Sequence, residues 1–367
     1  MILDNIKYSY NDLTIVPALT SKVNSRKQVN PYYDGDKLPI FTAPMSTVVC
    51  PANVEQWERN GITPIIPRNV NYNHRLNWLN MGKWVAFSLN EAIKIFIDDK
   101  MEFDTKIHLC IDIANGHMEK LINACRLIKF NYKDKISIMT GNIANPETIK
   151  VMNNVGVDYV RCGIGGGAGC STTSNTGTHY PMASLIDECY NIKRKYNLRI
   201  KIIADGGIRN FNHVNIALAL GADYVMIGSI FASFFESAAL FQGYKDYKLN
   251  DHELIDGAWK ISVINQLDPK LDEEIKRRFL SYGQSKEFYG MSTKKAQSLI
   301  KPDGELKTAE GVHKILKSEY TIKQWVDNMT DYLRSVMSYT NKFDIKDFIG
   351  NVNLVINSIS EIQAVNK

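Results

Sequence analysis

Cys170 closes a glycine-rich stretch, Gly163-Ile164-Gly165-Gly166-Gly167-Ala168-Gly169, and Thr172 follows it by two residues. Glycines at alternate positions give a loop with exposed amides and close backbone approach. A thiol among free amides suits nucleophilic catalysis, because backbone dipoles favour the thiolate. The spacing lacks the GK[ST] ending of a P-loop. Two further glycine turns lie downstream, Ala204-Asp205-Gly206-Gly207 and Gly228-Ser229. Asp205 cannot bind phosphate, but its carboxylate can accept from a ribose diol. The other cysteines carry weaker signals. Cys110 falls in an apolar run and Cys125 on an amphipathic segment, where a buried, inert thiol is expected.

These turns need elements to position them. Eight apolar runs alternate with amphipathic stretches between residues 38 and 240: Pro39–Ala43, Thr63–Ile66, Trp84–Phe87, Ile107–Ile113, Ile136–Met139, Asp158–Arg161, Ile200–Ala204 and Tyr224–Ile227. Met118–Phe130, Pro146–Asn154, Met182–Tyr196 and Phe211–Leu218 are among the helical segments between them. This order reads as parallel β/α units, and eight is the count for a closed (β/α)8 barrel, with an open doubly wound sheet as the rival. The cysteine loop follows the sixth run, and the two glycine turns follow the seventh and eighth. In barrels, chemistry sits past the C-terminal strand ends, and the last two turns form the common phosphate site. The residues alone therefore point to a nucleoside monophosphate facing a cysteine nucleophile.

Composition sets the outer bounds. The 367 residues are 44% hydrophobic and 23% charged, a globular balance. No apolar run reaches the roughly 18 residues of a membrane span, and the N-terminus has no signal-peptide pattern. The net charge of +5 is spread along the chain, with no basic block to suggest nucleic acid. The six cysteines form no CxxC pair and the seven histidines no HxxxH pair, so a zinc site is not indicated and reduced thiols in the cytoplasm are expected. Residues 241–286 turn polar and charged, an insertion or lid after the eighth strand. Residues 319–340 return to an amphipathic helix, and 343–363 read as a strand-and-helix tail. The expected organisation is one catalytic barrel over 1–367, with no regulatory repeat domain.

The motifs themselves resemble the family of IMP dehydrogenases and GMP reductases. Gly163–Thr173, Ala204–Arg209, Val225–Ser229, Phe288–Ser292, Ala309–Gly311 and Leu333–Tyr339 carry the resemblance, which runs from Tyr10 to about Asn341. It implies a (β/α)8 barrel. Within the family the reductase branch is favoured on three counts. Ile66-Pro67-Arg68-Asn69 runs on to Trp84 with no room for the dehydrogenase regulatory domain. Cys110–Gly116 is similar to a reductase signature, as is the loop from Cys170 to Pro181. The Arg-Tyr pair of the dehydrogenase flap is missing between Met291 and Glu310.

The resemblance implies NADPH-dependent reductive deamination of GMP, with dGMP open as a substrate. Cys170 would be the nucleophile, and Thr172 with Glu310 the proton relay. It places Asp205 at ribose, and Gly206, Gly207, Gly228, Ser229, Gly290 and Ser292 at phosphate. Met291 would lie near the base, with Glu310 and Gly311 at its amide edge. Cofactor contacts are implied for Ser25, Arg26, Asp112, Ile113, Ala114, Ile164 and Gly165, and for Ser335, Val336, Met337 and Ser338, which would serve a neighbouring subunit of a homotetramer. Potassium is implied at the carbonyls of Gly165, Gly167 and Cys170. Three positions depart from the reductase pattern: Pro67 for a cofactor-contacting lysine, Leu306-Lys307 for a Tyr-Arg pair, and Thr173 for an arginine. The rival readings are an IMP dehydrogenase without its regulatory domain, a flavin-dependent barrel oxidoreductase and a catalytically inactive nucleotide-binding protein.

Overall fold

The computed structural model describes residues 6–167, 171–239, 285–290, 293–300, 311–318 and 320–358, together with the short strand pair Leu254–Ile255 (β10) and Ala258–Trp259 (β11). Eight parallel strands form one sheet: β2 (Ile40–Thr42), β3 (Ile65–Ile66), β4 (Trp84–Phe87), β5 (Ile107–Asp112), β6 (Ile136–Ile143), β7 (Tyr159–Cys162), β8 (Lys201–Asp205) and β9 (Tyr224–Ile227). Neighbours follow chain order from β3 to β9, and β9 pairs with β2. A parallel bridge between Phe41 and Thr63 joins β2 to the approach of β3, which closes the circle. The fold is a (β/α)8 barrel, and all eight strands overlap the runs read from sequence.

Helices connect the strands on the outside, among them Tyr72–Asn80, Glu119–Tyr132, Thr148–Asn154, Met182–Lys195 and Phe211–Ala219. A single helix, Tyr72–Asn80, lies between β3 and β4. Asn71 caps it, its side chain accepting from the amides of Asn73 and His74.

Side-chain direction alternates along each strand, so every strand feeds two cores. Outward residues such as Val85, Phe87, Leu109, Ile111, Val160, Ile202 and Val225 pack under the helices. Inward residues Phe41, Ile65, Trp84, Ala86, Cys110, Met139, Ile203, Tyr224 and Met226 fill the barrel as a separate cluster. Its lower end, at the strand starts, is an aromatic plug. Trp84 lies 4.9 Å from His108 and 5.1 Å from Tyr159, and Phe41 lies 4.9 Å from Tyr224. Layers of inward side chains make the barrel a packed core rather than a pore.

Three additions surround the barrel. β1 (Leu13–Ile15) pairs antiparallel with β14 (Leu354–Ile356), tying the two ends of the described chain together. β12 (Ser285–Tyr289) and β13 (His313–Lys317) form an antiparallel pair. The Ile322–Tyr339 helix buries Trp325, Met329, Leu333 and Met337 against the barrel helices, with Trp325 stacked 5.2 Å from Phe211. The tail runs as a short helix, Ile345–Phe348, and then β14. Most of the 241–286 insertion lies outside the described residues.

The plug yields a pH prediction. Burial, with smaller contributions from Lys106 and Lys37, pushes the His108 imidazole down from 6.5 to about 4, and its Nδ1 has no hydrogen-bond partner among the described residues. The unfolded chain therefore binds the extra proton between about pH 6.5 and 4 while the folded chain does not. The stability tied to neutral His108 is complete above about pH 6.5 and is lost as pH falls through that window. Denaturant titrations at pH 7 and pH 4.5 should show a smaller acid loss for His108→Phe than for the unsubstituted chain.

Candidate active site

The C-terminal strand ends assemble three loops that the sequence separates. Cys162 ends β7, and Gly163–Gly167 then turns over the barrel mouth. Gly163 adopts φ +136°, and a Cβ there would fall 2.2 Å from the Asp205 carbonyl oxygen. Glycine is therefore required for this loop to approach the end of β8. The Gly207 amide donates to the Gly166 carbonyl at 2.9 Å, zipping the β7 and β8 loops together. Beyond the residues at 168–170 the chain resumes as the Thr172–Thr176 helix, whose Thr173 hydroxyl packs where a Gly165 side chain would stand. Gly228 ends β9 and leads into the Ser229–Ala232 helix, with Met45 against it.

The N-terminal segment seals this rim from outside. The Tyr10 ring packs on Gly207, and Asn11 Oδ1 accepts from His213 Nε2 at 2.6 Å. His213 Nδ1 in turn accepts from the Arg209 amide at 3.2 Å. That chain of contacts fixes the turn after β8 from its far side.

Alternation places charge at the barrel mouth. Two residues beyond inward Cys110 stands Asp112, two beyond Tyr159 stands Arg161, and two beyond Ile203 stands Asp205. Arg161 Nη1 donates to Asp112 Oδ1 at 2.7 Å, and its Nε donates to Asp205 Oδ2 at 2.9 Å. Arg161 Nη2 lies 2.9 Å from the same Asp205 oxygen, and Arg68 Nε lies 3.1 Å from Asp112 Oδ2. Asn142 donates to Asp205 Oδ2 and to the Gly163 carbonyl, both at 2.7 Å. Two cations and two anions balance. Burial works to raise the Asp112 carboxyl, but the charges of Arg68 and Arg161 outweigh it and hold it below the usual carboxylate range. Burial likewise works against the Arg161 charge, and Asp205 and Asp112 overcome it and push its pKa up.

The expected site residues divide accordingly. Asp112 and Asp205 end their strands, and Ile164, Gly165, Gly167, Gly206, Gly207, Gly228 and Ser229 lie just past strand ends on the same rim, with Thr172 on the helix that continues the β7 loop. Ile113 and Ala114 follow Asp112 directly, and the Ile113 carbonyl accepts from the Asn142 amide. The reading of Asp205 narrows: Oδ2 is taken by Asn142 and Arg161, and Oδ1 alone has no partner among the described residues. The Gly207 amide is spent on Gly166, whereas the amides of Gly206 and Gly228 make no backbone bond among the described residues. Gly290 and Gly311 meet at one end of the β12–β13 pair, where the Gly290 amide donates to the Val312 carbonyl. Lys286 on β12 is buried and donates to the carbonyls of Phe235 and Ser237, fastening that pair beside the Ser229–Ala232 helix. Cys170, Met291, Ser292 and Glu310 lie outside the described residues.

Ser25 and Arg26 lie apart from the rim. Ser25 caps a short helical turn, Arg26–Gln28, which packs on the Ile322–Tyr339 helix. The Ser21 hydroxyl donates to the Ser338 carbonyl on that helix. Met337, one turn after Leu333, faces the core and is completely buried. Ser335, Val336 and Ser338 are half-buried around it.

Arg161 and Asn142 were not singled out from sequence. The available signal was a charged residue at an inward register of an otherwise apolar strand. Cys110 and Cys125 are fully buried, and burial pushes both thiols up to about 12, which fits their reading as inert. The thiols of Cys50, Cys110, Cys125, Cys162 and Cys189 are free.

Comparison with known proteins agrees with this geometry. The IMP dehydrogenase / GMP reductase domain matches residues 7–251. The chain is similar to a GMP reductase of Staphylococcus carnosus (strain TM300), 27% identical over 362 residues that cover 95% of this chain and 96% of the relative. It is similar to a GMP reductase of Buchnera aphidicola subsp. Baizongia pistaciae (strain Bp), 26% identical with 94% and 92% covered. A GMP reductase of Streptococcus pneumoniae serotype 4 (strain ATCC BAA-334 / TIGR4) is 29% identical over 243 residues, covering 63% of this chain and 71% of the relative.

The glycine contacts are testable without any ligand. Gly163→Ala should destabilise the fold by about 1–3 kcal/mol through backbone strain and collision with the β8 loop. Gly177→Ala, also at positive φ but with nothing within 4 Å, should cost less. Thermal unfolding of the two variants checks the difference, and equal losses would refute the packing account.

Proposed function

Because the chain belongs to the IMP dehydrogenase / GMP reductase family, we propose that it is a GMP reductase, converting GMP and NADPH to IMP, ammonia and NADP+. The observation that carries this reading is the docking of the Gly163–Gly167 loop onto Asp205–Gly207. That loop continues in sequence to Cys170, the proposed nucleophile, while the β8 and β9 turns would hold the nucleotide. The Asp205 Oδ1 lone pairs are available to ribose hydroxyls, and the Gly206 and Gly228 amides to phosphate. Gly290, Met291 and Ser292 complete the nucleotide loop, with Gly311 at the amide edge of the base.

In the proposed mechanism the Cys170 thiolate attacks purine C2. Thr172 and Glu310 relay protons to the leaving amine, so ammonia departs and a thioimidate joins the purine to Cys170. Asp112, Ile113, Ala114, Ile164 and Gly165 would bind NADPH beside that centre. NADPH supplies the hydride that reduces C2. Cys170 then leaves as the thiolate, ready for another turnover. Protonation makes C2 electrophilic, which is why the relay is needed. Hydrolysis of the same adduct would require an activated water, and residues 291–310 lack the Arg-Tyr pair of the dehydrogenase flap. The single helix between β3 and β4 likewise stands where a regulatory domain would be inserted.

Potassium fits the loop chemically. The Ile164 carbonyl accepts from His179 and the Gly166 carbonyl from Gly207, while those of Gly165 and Gly167 accept no hydrogen bond among the described residues. Alternate carbonyls are thereby left for a hard cation, together with that of Cys170. The packing of the Arg26–Gln28 turn on the Ile322–Tyr339 helix supports service of Ser25-Arg26 and Ser335–Ser338 to a neighbouring subunit. A cytoplasmic homotetramer with one catalytic barrel per chain, and 241–286 as an insertion or lid, completes the reading. Among the described residues no helix is long and apolar enough to cross a membrane.

Loss of reduced-nicotinamide absorbance with GMP or dGMP, release of ammonia, and the reverse pairing of IMP with NAD test the activity. Cys170→Ala should abolish turnover yet retain nucleotide binding, and Glu310→Gln should lose about 10²–10⁴ in rate. Ready formation of XMP from IMP and NAD, with GMP inert, would make the protein a dehydrogenase instead. Light scattering should give the tetramer mass; a monomer at working concentration would remove the Ser25-Arg26 and Ser335–Ser338 assignments.

A further inference from the structure

The charge network at the barrel mouth does more than present two carboxylates. Asp205 and Asp112 come from β8 and β5, three places apart around the barrel, and a single side chain from β7 reaches both. Arg161 is 8% exposed, so its fork is held in place by packing. Its Nε and Nη2 edge meets Asp205 Oδ2, and its Nη1 meets Asp112 Oδ1. With Asn142 added, Asp205 Oδ2 faces three donor nitrogens, which leaves the other oxygen, Oδ1, as the one without a partner among the described residues. Asp112 is paired by charge on its second oxygen with Arg68 at 3.1 Å.

We infer that Arg161 is a positioning residue shared by the two halves of the active site, orienting Asp205 toward the nucleotide and Asp112 toward the dinucleotide. This rests on the reading above, in which Asp205 holds ribose and Asp112 lies against the cofactor. The planar guanidinium is what permits it: two carboxylates on different strands need donors in fixed, divergent directions, which a lysine ammonium on a flexible stem does not supply. A purely structural role is the competing account. Replacing a buried ion network by apolar groups is often neutral for stability, so stability alone gives little reason for this arrangement. The two accounts separate on ligand affinity.

The test is equilibrium titration of the full-length protein with GMP and, separately, with NADPH, alongside thermal unfolding. Unsubstituted protein, Arg161→Lys, Arg161→Met, Asp205→Asn and Asp112→Asn are compared. Arg161→Lys keeps the charge and loses the fork; it should weaken both ligands by roughly tenfold or more, the scale of one charged hydrogen bond. Arg161→Met should weaken both further. Asp205→Asn should weaken GMP alone, and Asp112→Asn NADPH alone. If the Arg161 variants change one ligand or neither, or lose only thermal stability, the shared role is wrong and the reductase reading stands. Failure of both Arg161 variants to fold would show a structural role and overturn the inference. If the unsubstituted protein binds neither ligand, the reductase reading falls and takes this inference with it.

Discussion

Period-two alternation along the barrel strands is the constraint on which the rest depends. Closing eight short strands into a circle points every second side chain into a narrow interior. Aromatic rings from Phe41, Trp84, Tyr159 and Tyr224 fill its lower end. Small and aliphatic residues such as Ala86, Cys110 and Ile203 occupy the middle. The next inward position on three strands is charged. The same rule that packs the core thus delivers Asp112, Arg161 and Asp205 to the rim. There, the charges of Arg68 and Arg161 outweigh the burial that would raise the Asp112 carboxyl and hold it below the usual carboxylate range.

The loops add a second constraint, backbone proximity. Gly163, Gly206 and Gly207 have positive φ, and their missing side chains let the β7 and β8 loops lie against each other. One hydrogen bond, from the Gly207 amide to Gly166, replaces what would otherwise be a donor free for an anion. The Gly163–Gly167 loop is therefore held in position at the expense of one candidate phosphate contact. The remaining amides and the lone Asp205 oxygen define what the rim offers to a nucleotide.

Much of this was legible in the residues. The eight apolar runs map onto the eight strands because buried parallel strands concentrate Val, Ile and Leu. The three glycine turns follow the strands expected of them. What escaped was non-local. β1 and β14 are three-residue strands from opposite ends of the described chain, with no local signal for their pairing. β6 runs on through Thr140, Gly141 and Asn142 to Ile143, where polar residues and a register shift disguise the strand. Asn142 and Arg161 went unnoticed because their importance lies in register: each is unremarkable in sequence and decisive only when the barrel turns it toward Asp205. The Gly207 amide could not be assigned from sequence either, since its partner lies on another loop.

The account's central claim, that Cys170 carries the purine through a reductive deamination, is tested most directly by mass spectrometry of the enzyme incubated with GMP alone. A nucleotide adduct on the Cys170 peptide, formed with release of ammonia and discharged to IMP when NADPH is added, is the predicted result. An adduct that forms only from IMP with NAD and discharges to XMP, or no adduct with any of these nucleotides, would contradict it.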